Sequence, residues 1–200
     1  MPYEYRRLTP AEREEVVRQR RQRGYPLHSP PHPFRESGAY LITAATYEHA
    51  PIVAPEARRS EFEGQLLGAL QAAGVEMVGW VVLPNHYHVL VNVGSLDDVS
   101  AALKLLHGSA SRAWNLEDGL TGRRQVWYKF ADRCMRDERQ ARRALNYVHY
   151  NPVRHGYSDD PLEWPWSSVH LYVEERGREW LREAWKADPP GDDGRGWDEG

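Results

Sequence analysis

Residues 83 to 91 of this chain read Leu83-Pro84-Asn85-His86-Tyr87-His88-Val89-Leu90-Val91. The apolar run that starts at His86 predicts a β-strand, and Pro84 with Asn85 predicts a tight connection to the strand before it. Side chains two residues apart in a strand point to the same face, so His86 and His88 can offer two imidazole nitrogens to one metal ion. A His-x-His pair also occurs by chance in strands that bind no metal, so a second group of residues is needed to decide.

That second group lies in a segment further along the chain, at residues 137–156. Residues 137 to about 150 predict a helix, in which Tyr147 and Asn151 are four residues apart and share one face while His149 points away. Pro152 disfavours the helical conformation of the residue before it, so we expect the helix to end at Asn151. Taken alone, aromatic residues at this spacing favour a helix face that packs on a core.

The remaining elements follow a regular order. Strands are predicted near residues 39–47, 75–83, 86–93 and 126–133, and helices near 56–73, 96–116 and 137–150. The order β-α-β-β-α-β-α predicts the α+β class, with a ferredoxin-like or RRM-like antiparallel sheet and the helices on one face.

Charge divides the chain into three parts. Residues 1–35 form a basic, Pro-rich arm, residues 36–175 the folded domain, and residues 176–200 a flexible acidic tail. The net charge is −3, but the arm carries +4 and residues 104–155 carry +6, while residues 36–103 carry −6 and residues 156–200 carry −7. Concentrated basic charge predicts contact with a phosphate backbone. The candidate DNA-binding residues are Arg6, Arg7, Arg20, Arg21, Arg23, Arg142 and Arg143. A solvated helix face with surplus arginine is the alternative.

Composition excludes several classes of protein. With 200 residues, 40% of them hydrophobic, and 8 tryptophans, the chain suits one globular domain with extensions. The one cysteine, Cys134, excludes a disulfide framework and a Cys-rich zinc module. No apolar run approaches the roughly 18 residues of a membrane span, and the amino-terminal residues lack a secretory apolar segment. We therefore expect a cytoplasmic protein with no membrane partner.

Five blocks of the sequence, taken in order, resemble the HUH single-strand endonucleases, and within them the REP-associated tyrosine transposases of bacteria. The blocks are Ala39–Thr43, Trp80–His88, Trp127–Asp132, Tyr147–Gly156 and Trp164–Ser168. The resemblance implies a small mixed domain of helices and strands, a divalent metal, and a tyrosine that attacks a DNA phosphate. The Arg-rich arm is not part of the common core, so its role does not carry over.

The resemblance also implies a role for each matching residue. Tyr147 matches the nucleophile, His86 and His88 match the paired metal ligands, and Asn151 matches the third ligand, where more distant insertion-sequence relatives usually have Gln. Two imidazoles, one carboxamide oxygen and waters suit Mg²⁺ or Mn²⁺. The implied substrate is a single-stranded, hairpin-forming repeat that is cut through a 5′-phosphotyrosine intermediate. A monomer is expected in preference to a homodimer.

Single-stranded DNA is commonly bound by stacking its bases on aromatic side chains. The candidates for this role are Trp80, Trp114, Trp127 and Tyr128, and burial in the core is the alternative for each of them.

Two other functions compete with the transposase. A non-cleaving hairpin-binding protein would need none of His86, His88, Tyr147 and Asn151 together. A metal hydrolase with a zinc ion on the two histidines lacks a helical His-Glu motif and leaves the segment around Tyr147 unexplained.

Overall fold

The computed structural model describes residues 9–22, 37–120 and 124–191 of the chain. The strands are β1 (Gly38–Ala45), β2 (Glu76–Val82), β3 (His86–Val93) and β4 (Ala131–Cys134). The helices are α1 (Pro10–Gln22), α2 (Glu56–Ala72), α3 (Leu96–Glu117), α4 (Glu138–Arg154), α5 (Val169–Arg176) and α6 (Arg178–Ala187). None of the described helices is both long enough and apolar enough to cross a bilayer.

The four strands form one sheet in the order β2-β3-β1-β4, and every neighbouring pair is antiparallel. Helix α2 carries the chain from β1 to β2 across β3, and α3 carries it from β3 to β4 across β1. This is the split βαβ arrangement of a ferredoxin-like sheet. The predicted α+β class and antiparallel sheet are confirmed.

The two faces of the sheet are covered by different helices. On one face Tyr87 of β3 packs against Phe62 of α2, with ring centroids 5.6 Å apart, and its hydroxyl lies 2.9 Å from Nε2 of His107 in α3. On the other face His88 contacts Tyr147 of α4, with ring centroids 5.2 Å apart. The crossover helices α2 and α3 share a face as predicted, whereas α4 lies on the opposite one. Successive strand residues point to opposite faces, so a helix that reaches the histidines cannot share the side of Tyr87.

Two elements differ in extent from their predictions. The β4 strand begins at Ala131, and earlier residues of the predicted strand contribute only the isolated bridge between Thr46 and Trp127. Helix α4 does not end at Asn151 but continues to Arg154. It continues because Pro152 removes only its own N–H donor, and the N–H of His155 still donates to the carbonyl of Asn151 at 3.1 Å.

The folded part of the chain extends beyond the predicted boundary at residue 175. Leu181 of α6 is buried, and the ring of Trp185 packs on Tyr150 with centroids 5.2 Å apart. The amide of Asn146 in α4 donates to the carbonyl of Asp188 at 2.7 Å. Charge alone predicted a flexible tail here and overlooked the helical spacing of Leu181, Trp185 and Asp188, which places them on one face. Residues 192–200 of that predicted tail lie outside the described residues.

Candidate active site

The two histidines of β3 lie side by side on the face of the sheet that α4 covers. His86 and His88 are both buried, and their ring centroids are 5.0 Å apart at an interplanar angle of 77°. Strand β3 pairs with β2 on one side and β1 on the other, so both neighbours hold its backbone in place. The alternation of the strand thus gives the two rings the common direction that the sequence predicts.

A hydrogen bond at the outer nitrogen orients each imidazole ring. Nδ1 of His86 lies 2.8 Å from Oδ1 of Asn85, and Nδ1 of His88 lies 2.8 Å from Oγ1 of Thr43. Thr43 is the residue opposite His88 in the β1–β3 register, so the sheet itself supplies this partner. With Nδ1 engaged, each ring directs Nε2 towards α4. Such outer partners fix the orientation of histidine ligands in metal sites.

Helix α4 supplies the other two predicted residues from one of its faces. Oδ1 of Asn151 lies 3.1 Å from Nε2 of His86, and the hydroxyl oxygen of Tyr147 lies 3.4 Å from Nε2 of His88. Asn151 is fully buried, and Tyr147 is 1% exposed. The four residues singled out from the sequence therefore meet between a central strand and an opposing helix.

The donor atoms of this cluster fit a divalent cation. Neutral imidazole nitrogens and carboxamide oxygens have lone pairs that bind divalent cations. Nε2 of His86 and Oδ1 of Asn151 lie 3.1 Å apart, so the two groups adjoin one another. Adjacent ligands of an octahedral ion with bonds of about 2.1 Å are separated by about 3.0 Å.

No group of three or more His, Cys, Asp or Glu side chains that could hold a metal is present among the described residues. The candidate metal site therefore depends on the amide of Asn151 as its third donor. Its two other donors are His86 and His88. A neutral site of this kind brings no carboxylate charge to the ion, which leaves the full charge of the cation for an anionic ligand.

Two further residues next to the site were missed by sequence reasoning. Arg154 is exposed and places its guanidinium carbon 5.6 Å from the centre of the Tyr147 ring. The ring of His155 lies 4.8 Å from that of His86. Both residues follow Asn151 at helical spacing of three and four, and the expectation that the helix ends at Asn151 concealed this signal.

The opposite side of α4 is tied to the sheet by His149. Its Nε2 lies 3.0 Å from Oγ of Ser168, which in turn accepts a hydrogen bond from the backbone N–H of Trp80 at 2.9 Å. Burial lowers the pKa of His149 to about 3, with a smaller contribution from His170, so the ring is neutral near pH 7. His149 points away from Tyr147 as predicted and holds the helix in place against β2.

The arginines predicted to bind DNA occupy different positions. Arg142 donates from Nε to Oδ2 of Asp188 at 2.7 Å, an ion pair that competes with a phosphate for this guanidinium. Its neighbour Arg143 is exposed on α4, and its role in DNA binding stays a prediction. Arg20 and Arg21 lie in α1. Three arm residues, Arg6, Arg7 and Arg23, lie outside the described residues.

Two of the aromatic residues predicted to stack on DNA belong to the core. Trp114 and Trp127 are 4% and 8% exposed and pack on Phe62, with ring centroids 5.4 and 5.1 Å away. Trp80 is half-buried, and its Nε1 donates to the carboxylate of Glu63 at 2.8 Å. Large aromatic side chains mainly supply buried area, and these tryptophans do so on the face of α2 and α3.

The chain is similar to two proteins of known family and to one solved structure. No family model matches the chain. A protein of Haemophilus influenzae named for the REP-associated tyrosine transposases is 25% identical over 150 residues, which cover 70% of this chain and 84% of that protein. A REP-associated tyrosine transposase of Escherichia coli is 28% identical over 100 residues, 49% of this chain and 56% of that protein. The solved structure of a REP-associated tyrosine transposase bound to a REP hairpin matches with a TM-score of 0.56 and 21% identity, over 70% of this chain and 81% of that one. The described structure therefore has the fold of that protein.

Proposed function

We propose that this chain, which is similar to the REP-associated tyrosine transposases, is a transposase that cleaves and rejoins single-stranded DNA at hairpin-forming repeats. One observation carries the proposal. The hydroxyl oxygen of Tyr147 lies 3.4 Å from Nε2 of His88, beside a pair of donors from His86 and Asn151 that are 3.1 Å apart. A nucleophile and a set of cation ligands thus adjoin one another.

The reaction begins when the Tyr147 oxygen attacks the phosphorus atom of the scissile phosphate. A bond forms between the tyrosine oxygen and phosphorus, and the bond from phosphorus to the 3′ oxygen breaks. The hydroxyl proton passes to solvent, and the departing 3′ oxygen takes up a proton to become a hydroxyl group. The phosphate stays on the 5′ end as a phosphotyrosine, which conserves the bond energy. Attack by another 3′ hydroxyl reverses these steps and joins the strands.

His86, His88 and Asn151 would hold a divalent ion, Mg²⁺ or Mn²⁺. When bound, such an ion supplies the positive charge that polarises a phosphate oxygen. The protein contributes orientation, because Asn85 and Thr43 fix the two imidazole rings. Ligands that are held in place before the substrate arrives need no rearrangement during the reaction.

Positive charge on the protein supports a DNA substrate. Arg154 lies against the ring of Tyr147, where its guanidinium can pair with an oxygen of the attacked phosphate. A single strand or hairpin suits a tyrosine nucleophile that lies between a sheet and a helix, since a flexible strand can bring one phosphate into such a site. The relative of known structure is bound to a REP hairpin, which favours the same class of DNA here. We expect the protein to act as a monomer.

The proposal is tested by trapping the covalent intermediate. The full chain is incubated with Mn²⁺, Mg²⁺ or EDTA and with end-labelled single-stranded hairpins taken from repeats that flank its gene. Denaturing gels then separate the covalent protein–DNA adduct from free DNA. We expect an adduct with Mn²⁺ or Mg²⁺ that is absent with EDTA and absent for Tyr147→Phe. Full adduct formation by Tyr147→Phe would refute the assignment of the nucleophile.

A non-cleaving hairpin-binding protein is the second candidate, and the burial of Tyr147 is the observation that favours it. The ring is 1% exposed, and its hydroxyl already lies near His88. A phosphate reaches this oxygen only if DNA binding opens a path to it. Tight hairpin binding without any adduct, across several hairpins and metal ions, would favour this alternative over the transposase.

A further inference from the structure

An exposed aromatic side chain, Tyr157, lies beside the proposed active site. It is 40% exposed, whereas most large aromatic residues of the described chain are core components. The end of α4 fixes its backbone: the N–H of Tyr157 donates to the carbonyl of Pro152 at 2.9 Å, and the N–H of Gly156 donates to that of Val153 at 3.0 Å. Gly156 has a φ of +70°, so this is the Schellman ending that favours glycine.

A row of ring contacts connects Tyr157 with the candidate metal ligands. His86 and His155 have ring centroids 4.8 Å apart, and those of His155 and Tyr157 are 6.3 Å apart. Behind Tyr157 stands the buried ring of Trp164, at 5.6 Å. Trp164 is itself anchored by a hydrogen bond from Nε1 to the carbonyl of Val82 at 3.0 Å. Tyr157 thus packs against two rings while 40% of it stays exposed.

Two arginines lie near this row. Arg59 is buried, with its guanidinium carbon 3.7 Å from the ring centre of Trp166 and 4.7 Å from that of Trp164. Its charge acts on Tyr157, where it opposes the increase in pKa that burial causes. On the side of the nucleophile stands Arg154. An exposed aromatic side chain near an exposed cation such as Arg154 is a surface on which a base can stack while a phosphate pairs with the cation.

We propose that Tyr157, together with His155, forms a stacking platform for the base of a nucleotide that adjoins the scissile phosphate. The inference rests on the proposed function and adds a nucleotide-binding subsite to it. Consecutive phosphates of a strand are at least about 3.4 Å apart along its axis. The ring of Tyr157 is at most about 11 Å from that of His86 through these two contacts, so it lies within reach of the first few nucleotides beside the scissile phosphate. Because every base has a flat face, the platform holds the strand in position without selecting its sequence.

The experiment combines variants of Tyr157 with DNA that lacks single bases. Affinity for a hairpin with a single-stranded flank is measured by fluorescence anisotropy, without divalent metal. Tyr157→Ala should weaken binding by about 5-fold to 150-fold, the range for loss of one stacked base. Tyr157→Phe keeps the ring and should bind like the wild type. Tyr157→Leu keeps the apolar cover of Trp164 without an aromatic face, and should bind as weakly as Tyr157→Ala.

The same substrate with one abasic position next to the cleavage site supplies the decisive comparison. One such position should weaken wild-type binding as much as Tyr157→Ala does, and should weaken the Tyr157→Ala protein no further. Trp180→Ala is the matched control, because Trp180 is 42% exposed but stacks on Tyr172 of α5. Its affinity should equal that of the wild type. Thermal unfolding verifies that each variant is folded.

Equal losses for wild type and Tyr157→Ala at every abasic position would overturn the platform. This failure differs from failure of the proposed function. If the wild type forms the covalent adduct while Tyr157 shows no coupling to any base, the platform alone is wrong. If coupling to one base is found but no adduct forms, Tyr157 does stack on DNA, but the cleavage reaction and the placement of that base beside a scissile phosphate are wrong.

Discussion

Gly79 of β2 lies directly under α4, and replacing it with alanine tests how the helix positions the site. A Cβ atom at this position would lie 2.4 Å from Cδ1 of Leu145, 3.2 Å from Oγ of Ser168 and 3.7 Å from Nε2 of His149. Carbon atoms pack at about 3.5 Å or more, so the side chain of Leu145 or the helix must move by about 1 Å. Overpacking of this kind costs about 1–3 kcal/mol, and we expect a loss in that range for Gly79→Ala, with α4 shifting away from β2 because the new Cβ also crowds Oγ of Ser168 at 3.2 Å.

The effect on activity should exceed the effect on stability. Tyr147 and Asn151 belong to the displaced helix, whereas His86 and His88 belong to the sheet, so movement of α4 separates the two halves of the site. A misplacement of 1 Å costs a reaction about 100-fold. Urea unfolding measures the free energy of unfolding, and the rate of covalent adduct formation measures activity.

Two further variants show whether the contact between position 79 and Leu145 causes these losses. Gly68→Ala in α2 adds a Cβ that meets nothing within 4 Å, and should stabilise the protein by about 0.4–1 kcal/mol. Adding Leu145→Ala to Gly79→Ala removes the closest clash and should recover most of the lost adduct rate. Wild-type stability and rate in Gly79→Ala, or a double variant no faster than the single one, would show that α4 does not depend on this contact.

Three other predictions concern single side chains. Thr43→Val removes the partner of Nδ1 in His88 and should weaken Mn²⁺ binding by about 10-fold to 100-fold in calorimetric titration; unchanged affinity would exclude Thr43 as an orienting group. Arg154→Gln should slow adduct formation by about 10-fold or more with hairpin affinity largely retained, and an equal loss in both would indicate a role in binding alone. Burial lowers the pKa of His107 to about 4, below the value of about 6.5 in the unfolded chain, so stability should fall by about 1.4 kcal/mol per pH unit as pH drops from 6.5 towards 4. His107→Gln should flatten that part of the urea-unfolding profile, and an unaltered slope would contradict the prediction.

The fold could be predicted from the sequence because its elements are long, periodic and ordered in a way that allows few topologies. A hairpin between β2 and β3, flanked by two crossover helices, fixes the sheet order. The face of the sheet that α4 covers could also have been predicted, because His86 and His88 alternate with Tyr87 along β3. The length of β4 could not be predicted from the local pattern. The strand begins only at Ala131, because Trp127 before it packs on Phe62.

The meeting of His86, His88, Tyr147 and Asn151 could be predicted because local periodicity gives each pair a common face and because the motifs follow the order of the family that the chain resembles. Their roles stay a prediction. Arg154 and His155 were not predicted to lie at the site, because Pro152 was expected to end the helix before them. The pairing of Arg142 with Asp188 joins residues far apart in sequence, and no local pattern reports it. Such contacts are set by tertiary packing, which also decides whether an arginine is available to DNA.

Locating the DNA on the protein shows whether Tyr147 is the nucleophile. The trapped adduct is trimmed with nuclease, digested with protease and analysed by tandem mass spectrometry. The structure predicts a 5′-phosphonucleotide on Tyr147 and none on Tyr150, which lies on the same helix but packs against Trp185. A nucleotide on Tyr150 or on any other residue would contradict the account.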